Sequence, residues 1–194
     1  MNFPRFGATS AALLLLPLSL CSSSGCALTS KADPIEVSYL RPDPIAAGGA
    51  GSGKSLRLER VEAGEADGRG LLVLDDGTLQ HDEAFQWTEA PAVYLERALS
   101  RTLFEAAPGK VPGFRRDLAP ESVRLAVELR RFEWIRGGAF RVECRAVLWD
   151  KDRALWERSF TSESSAAQPE ALGKAAGAAL ADVAGQLRAA LSGS

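Results

Sequence analysis

The chain has 194 residues, a net charge of −2 and 46% hydrophobic residues, which suits one ordinary domain with extensions. The slight negative charge provides no global positive field, so nucleic acid is not expected as a partner. One histidine and three cysteines leave little material for a zinc site or a histidine-based catalytic centre, which argues against several classes of enzyme.

Residues 1–25 are typical of a cleaved signal peptide. Arg5 is their only charged residue, and residues 11–20 (AALLLLPLSL) form a ten-residue apolar run. A membrane-spanning helix needs about 20 such residues, so the run is too short to span a bilayer. It has the length of the hydrophobic core of a signal peptide.

Cys26 is the expected site of lipidation, because the small Gly25 directly precedes it as in a bacterial lipobox. Acyl chains on this cysteine would hold the protein at a bilayer, since each buried methylene contributes about 0.8 kcal/mol. Ala27 carries no acidic retention signal, so we expect the outer membrane of a Gram-negative cell. Cys21, which follows the bulky Leu20, is the alternative acylated residue, and a plain secretory signal is the alternative to lipidation.

Residues 26–54 are expected to form a lipid-anchored flexible tether, because they are rich in Ala, Gly, Pro, Ser and Asp. Within them, Ser38–Leu40 is expected to form a short strand or a docking contact. A fully flexible tether of about 28 residues would have a root-mean-square reach of roughly 30 Å.

Residues 48–55 (GGAGSGKS) match the phosphate-binding loop pattern in full. Such a loop must open a helix, whose N-terminal dipole binds the phosphate. Residues 56–61 instead alternate apolar and charged, which is typical of a strand. We therefore reject nucleotide binding at Lys54 and Ser55.

Residues 55–194 carry the periodic patterns of a folded domain. Thr88 and Pro91 are typical of a helix start, and an apolar stripe continues to Leu103. A second helix is expected over residues 169–191. Alternating patterns predict strands at residues 56–61, 123–130 and 140–148, and further strands are expected at residues 71–74 and 155–161. Together they predict an α+β fold, with a mostly antiparallel sheet and two helices packed on one face.

The chain offers few candidate sites. His81, Asp82 and Glu83 are adjacent on an expected polar loop, and without a second histidine they favour a solvated loop over a metal site. No catalytic residue, cofactor or metal is expected. Cys144 is expected to be a small core residue. Trp87 and Trp149 are candidate partner contacts, and Trp149 is expected on the charged face of the sheet, packed beside Arg141 and Arg145 or exposed to a partner.

Several segments resemble ABC-type transport auxiliary lipoproteins. The resemblance begins with Cys26 and the chain that leads to Tyr39. It is clearest from Asp75 to the Trp87–Pro91 block (WTEAP) and the helix that follows. It covers nearly all of residues 26–191.

The resemblance implies a non-enzymatic outer-membrane lipoprotein that faces the periplasm. Its implied partners are a substrate-binding protein of the mammalian-cell-entry type and, through it, a permease and an ATPase. The paraquat-inducible lipid-transport system contains a relative. The implied role is to dock a periplasmic lipid-transport conduit at the outer membrane, with a homo-oligomer conceivable by analogy. The alternatives are a lipid-binding periplasmic shuttle with its own pocket and, without motif support, a periplasmic hydrolase.

Overall fold

The computed structural model describes residues 35–49, 53–64, 68–106, 108–119 and 122–193. Within these residues, nine strands form one sheet. The elements, in chain order, are β1 (Ser38–Leu40), β2 (Lys54–Leu58), β3 (Glu62–Ala63), β4 (Gly70–Asp75), β5 (Thr78–Trp87), α1 (Pro91–Phe104), β6 (Phe114–Arg116), β7 (Arg124–Ile135), β8 (Ala139–Asp150), β9 (Arg153–Ser165) and α2 (Leu172–Ser192).

The long strand β7 organises the sheet. One of its edges pairs antiparallel with β8, which pairs antiparallel with β9. Its other edge pairs in turn with β2, β3 and β4, all parallel. β5 lies antiparallel beside β4, with β1 parallel to its end, and β6 lies parallel to β2. The fold is therefore α+β as expected, with antiparallel long ladders and short parallel additions.

Both helices pack on one face of this sheet, as the sequence predicted. Along β8, every second side chain from Phe140 to Leu148 is buried, and these side chains lie on the face of the sheet that the helices cover. The apolar stripe of α1, which includes Leu95 and Leu99, is fully buried. A 3-10 turn at Pro169–Ala171 precedes α2, whose buried side chains contact β8 and β9.

Several boundaries differ from the sequence prediction. Residues 56–61 do not form one strand, since β2 ends at Leu58 and the two-residue β3 begins at Glu62. His81, Asp82 and Glu83, expected on a polar loop, lie in β5, which turns back from β4 at Asp76 and Gly77. Both turn residues have positive φ angles, as a tight hairpin requires.

Residues 35–194 form one compact unit that contains the whole described core. This part of the chain therefore has its own hydrophobic core, which is what a domain requires to fold independently.

Candidate functional site

Residues 41–49, which we call the strap, lie against both helices. The Asp43 N–H donates to the Gly173 carbonyl at 3.0 Å, and the Gly48 N–H donates to the Arg101 carbonyl at 3.1 Å. Pro42 is buried, and Ile45 packs against the hydrophobic core. The strap is thus tied to α2 at Asp43, to α1 at Gly48 and again to α2 at Gly49, whose carbonyl accepts from Arg188 at 2.6 Å.

Glycines make this close approach possible. A Cβ atom on Gly177 would lie 2.8 to 2.9 Å from the backbone N and O of Asp43, and one on Gly173 would lie 2.6 Å from the Arg41 carbonyl oxygen. A Cβ on Gly48 would overlap the Thr102 carbonyl oxygen. The expectation of a flexible tether through residue 54 is therefore wrong for the strap, because backbone and helices fit together there without side chains between them.

The Trp87–Pro91 block is hydrogen-bonded to the first turns of α1. The Glu89 N–H donates to the Tyr94 hydroxyl at 2.8 Å, and that hydroxyl also bonds the Thr88 hydroxyl at 2.7 Å. Arg97 donates to both carboxylate oxygens of Glu89, at 2.8 and 3.0 Å, and this bond lowers the pKa of Glu89. Ala90 occupies the N-cap position of α1, and its side chain makes no capping hydrogen bond. Thr88 instead contacts the start of the helix through its hydrogen bond with the Tyr94 hydroxyl.

Trp87 is fully buried, with 0% of its surface exposed. Its ring packs edge-on against Tyr94, Phe132 and Phe140, with ring centroids 6.1, 5.0 and 5.5 Å away. Its indole Nε1 has no hydrogen-bond partner among the described residues. The expectation that Trp87 contacts a partner is corrected here, because three aromatic rings of the core already cover it.

The face of the sheet opposite the helices, which we call the open face, carries paired charges on β7, β8 and β9. Each of two arginines on the middle strand lies between a glutamate of β7 and a glutamate of β9, in the sets Glu133–Arg141–Glu163 and Glu128–Arg145–Glu157. The short bonds are 2.7 Å, from Arg141 Nε to Glu163 and from Arg145 Nε to Glu157. Arg145 lowers the pKa of Glu157 through this bond. Each set holds two glutamates and one arginine and therefore carries one net negative charge.

Trp149 lies at the end of the open face and is half-buried. The guanidinium of Arg124 sits 5.2 Å from the ring centroid, in cation–π geometry. Arg124 of β7 is thus a neighbour that the sequence did not suggest, and Arg145 lines the same groove as Trp149. A groove of about 440 Å³ runs beside the ring, with Ala126 and Val147 among its lining residues.

The other candidate residues show no catalytic arrangement. His81 is exposed on β5, while Asp82 is 3.8 Å from Arg136 and accepts the Ala84 N–H at 2.9 Å. Among the described residues, no three His, Cys, Asp or Glu side chains are grouped so that they could hold a metal. Lys54 begins a strand, whereas a phosphate-binding loop would open a helix there.

Cys144 is a free cysteine and is buried. Burial raises the pKa of the Cys144 thiol to about 12, so it is an inert core residue at neutral pH. Cys26 and Cys21 lie outside the described residues. In the part of the chain that the structure describes, no helix has the length and apolarity to cross a membrane.

The chain belongs to the family of ABC-type transport auxiliary lipoprotein components, whose model matches residues 40–188. No curated protein is similar enough to count as a match.

Solved structures support the fold. A Xanthomonas campestris protein of the family DUF330 is 24% identical, with a TM-score of 0.64 over 80% of this chain and 95% of its own. An uncharacterized protein is 16% identical, with a TM-score of 0.62 over 81% and 100%. A PelC dodecamer from Paraburkholderia phytofirmans is 14% identical over 72% and 90%, and its TM-score of 0.32 is too low to inform assembly.

The sequence did not reveal the strap or the sets of paired charges. The spacing of Gly173 and Gly177, four residues apart on one helix face, was the available signal for the strap. The alternating Arg and Glu residues were visible, but the strand register decides which of them meet.

Proposed function

We propose that this protein is a non-enzymatic outer-membrane accessory of an ABC-type transport system of the mammalian-cell-entry type. Cys26 would be acylated, and the domain would dock a periplasmic lipid-transport conduit at the membrane. The family match and the lipobox-like sequence before Cys26 support the anchor and the transport role.

The main support for the docking role is that the strap is held against the helices. Because residues 38–49 are held by the domain, only residues 27–37 lie between the proposed lipidated cysteine and the first strand. Eleven residues span at most about 36 to 40 Å when fully extended. The domain would therefore stay close to its membrane, which suits a fixed docking point better than a protein that carries cargo across the periplasm.

The proposed contact with the substrate-binding partner is the open face around Trp149. Aromatic side chains with one exposed side often anchor protein interfaces, and a groove lies beside this ring. Trp87 is not part of this contact, because it is buried. A possible homo-oligomer would be one further use of the same face.

The test is a crosslinking pull-down of the full-length protein from its native envelope, comparing two tryptophan variants. Trp156 is also half-buried and also has an arginine over its ring, Arg158 at 5.5 Å, but it packs against the core on the helix side of the sheet. We expect Trp149→Ala to lose the crosslink to the mammalian-cell-entry protein, whereas Trp156→Ala keeps it. If both variants retain the crosslink, the contact at Trp149 is wrong.

The wild-type protein provides the test of the function itself. Recovery of the permease, the ATPase or the substrate-binding protein supports the transport role. Their absence from crosslinked native membranes, with the lipoprotein recovered in good yield, would contradict it. Mass spectrometry of the same sample shows whether Cys26 or Cys21 carries the acyl chains.

The alternative of a lipid shuttle gains no support from the cavity between the strap and the helices. The cavity beneath the strap, lined by Pro42, Ile45 and Leu180 among others, has a volume of about 100 Å³. Pockets for drug-sized ligands measure about 300 to 1,000 Å³. Native mass spectrometry of residues 35–194 would reopen this alternative if a phospholipid stayed bound.

A further inference from the structure

A second surface of the domain lies around β6, which is separated from β8, the strand of Trp149, by β7 and β2. Residues 110–119 (KVPGFRRDLA), which we call the basic edge, form β6 and the two loops that flank it. They carry three basic side chains and one acidic side chain in a protein whose net charge is −2. This edge is therefore locally positive.

The basic side chains of this edge are not neutralised by carboxylates in the described part of the chain. Arg115 donates to the Ser55 hydroxyl at 3.0 Å. Arg116 bonds the Ser100 hydroxyl and stacks over the Phe104 ring, 4.7 Å from its centroid. On the open face, by contrast, each arginine of the two charged sets meets glutamates.

The one acid of the edge is occupied by its own loop. The Asp117 carboxylate accepts the Ala119 N–H at 3.0 Å, and this bond lowers its pKa. Bonds of this kind hold the carboxylate against its own backbone, so it is not directed at the arginines.

Two large apolar side chains stand exposed on the same edge. Val111, in the loop before β6, is 60% exposed, and Leu118, in the loop after it, is 76% exposed. Exposed apolar tips beside basic side chains are the combination by which proteins rest on anionic bilayers, where the tips enter the interface and the cations meet phosphates.

The geometry lets the edge and the proposed anchor meet one membrane. Leu40 of β1 bonds the chain just before α1, and Arg116 stacks on Phe104 at the other end of that helix. A helix of 14 residues is about 21 Å long. This is shorter than the roughly 36 to 40 Å that residues 27–37 can span.

We propose that the basic edge contacts the surface of a bilayer that contains anionic phospholipid, with Val111 and Leu118 at the hydrocarbon boundary. The proposed function supplies only the anchor that brings the edge to this bilayer. The contact need not be strong, because a tethered domain meets the surface at a high effective concentration. It would orient the domain on the membrane surface.

The test uses residues 35–194, which lack the anchor, so a negative result leaves the proposed function standing. In this part of the chain Cys144 is the only cysteine, and it is buried, so an introduced cysteine can be labelled selectively. A polarity-sensitive fluorophore is placed at Leu118→Cys and, as the control, at Leu155→Cys on β9, where the native leucine is 42% exposed. The vesicles are phosphatidylcholine alone or three parts phosphatidylcholine to one part phosphatidylglycerol.

We expect a blue shift of the fluorophore at residue 118 with the phosphatidylglycerol vesicles, reversed by salt, and no shift at residue 155. Arg115→Gln should weaken the association about fivefold, because one basic side chain near an anionic surface contributes about that much. Arg153→Gln, at an exposed position of β9, should change nothing. No shift at residue 118, or equal shifts at both positions, would overturn the proposal and assign the edge to a protein partner or to solvent.

Discussion

Replacement of Gly177 by alanine tests whether the strap is part of the folded domain. The new methyl carbon would lie 2.8 to 2.9 Å from backbone atoms of Asp43, which is closer than real Cβ contacts allow. Because those atoms are backbone, the strap must move to relieve the overlap. Overpacking of this kind costs about 1 to 3 kcal/mol. Alanine gains about 1 kcal/mol over glycine in a helix interior, so the net loss of stability is about 0 to 2 kcal/mol.

The same helix provides the matched control. Gly185 is exposed, and a Cβ atom there would meet nothing within 4 Å. Gly185→Ala should therefore stabilise the protein by up to about 1 kcal/mol through helix propensity alone. The two variants differ only in the strap contact, so their free energies of unfolding should differ by about 1 to 3 kcal/mol.

Urea denaturation of both variants, followed by circular dichroism, measures this difference directly. In thermal unfolding, each kcal/mol corresponds to about 2 to 4 °C for a domain of this size. Hydrogen exchange at the Asp43 and Gly48 amides should become faster in Gly177→Ala and stay unchanged in Gly185→Ala. If both variants are stabilised equally, the strap does not pack on α2 and the reasoning fails.

Three further predictions concern stability and reactivity. Arg141→Ala should destabilise the fold by about 2 to 3 kcal/mol, because it leaves the 2%-exposed Glu133 carboxylate without its partner. Arg145→Ala should cost much less, because the glutamates that it contacts are exposed. Urea denaturation of both variants measures the two losses of stability, and equal losses would contradict this prediction. The Cys144 thiol, with a pKa of about 12, should resist a thiol reagent at pH 8 until the protein is unfolded, and rapid modification of the native protein would show that the site is open. Tyr94→Phe should cost about 1 kcal/mol per lost hydrogen bond in a thermal scan, and an unchanged melting temperature would show that the hydroxyl is not needed.

Sequence patterns predicted the parts of the fold that depend on local periodicity. The alternation along β8 placed Phe140, Cys144 and Leu148 in the core, because a strand turns every second side chain to the same face. The apolar stripe of α2, from Leu172 to Leu191, was equally clear. By contrast, β5 begins with polar residues whose side chains are mostly exposed, so its pattern resembled a loop.

The candidate site was harder to predict because it depends on contacts between distant parts of the chain. The strap has the Gly- and Pro-containing composition of a linker, and only the fit of Asp43 against Gly177 shows that it is docked. Trp87 and Trp149 were equivalent in the sequence. The structure separates them, since Phe132 covers one and Arg124 only flanks the other.

The strap also connects the stability of the domain with its distance from the membrane. Under the proposed acylation of Cys26, a pull on the anchor enters the fold through β1, whose three residues pair with β5, and then through the strap. Release of residues 38–49 would add twelve residues to the spacer, or about 40 Å of maximum reach. Since each of Gly48, Gly173 and Gly177 permits a backbone contact that holds this segment, these glycines would set the working distance of the domain from its bilayer. A substitution that frees the strap should therefore change the position of the docking surface before it unfolds the core.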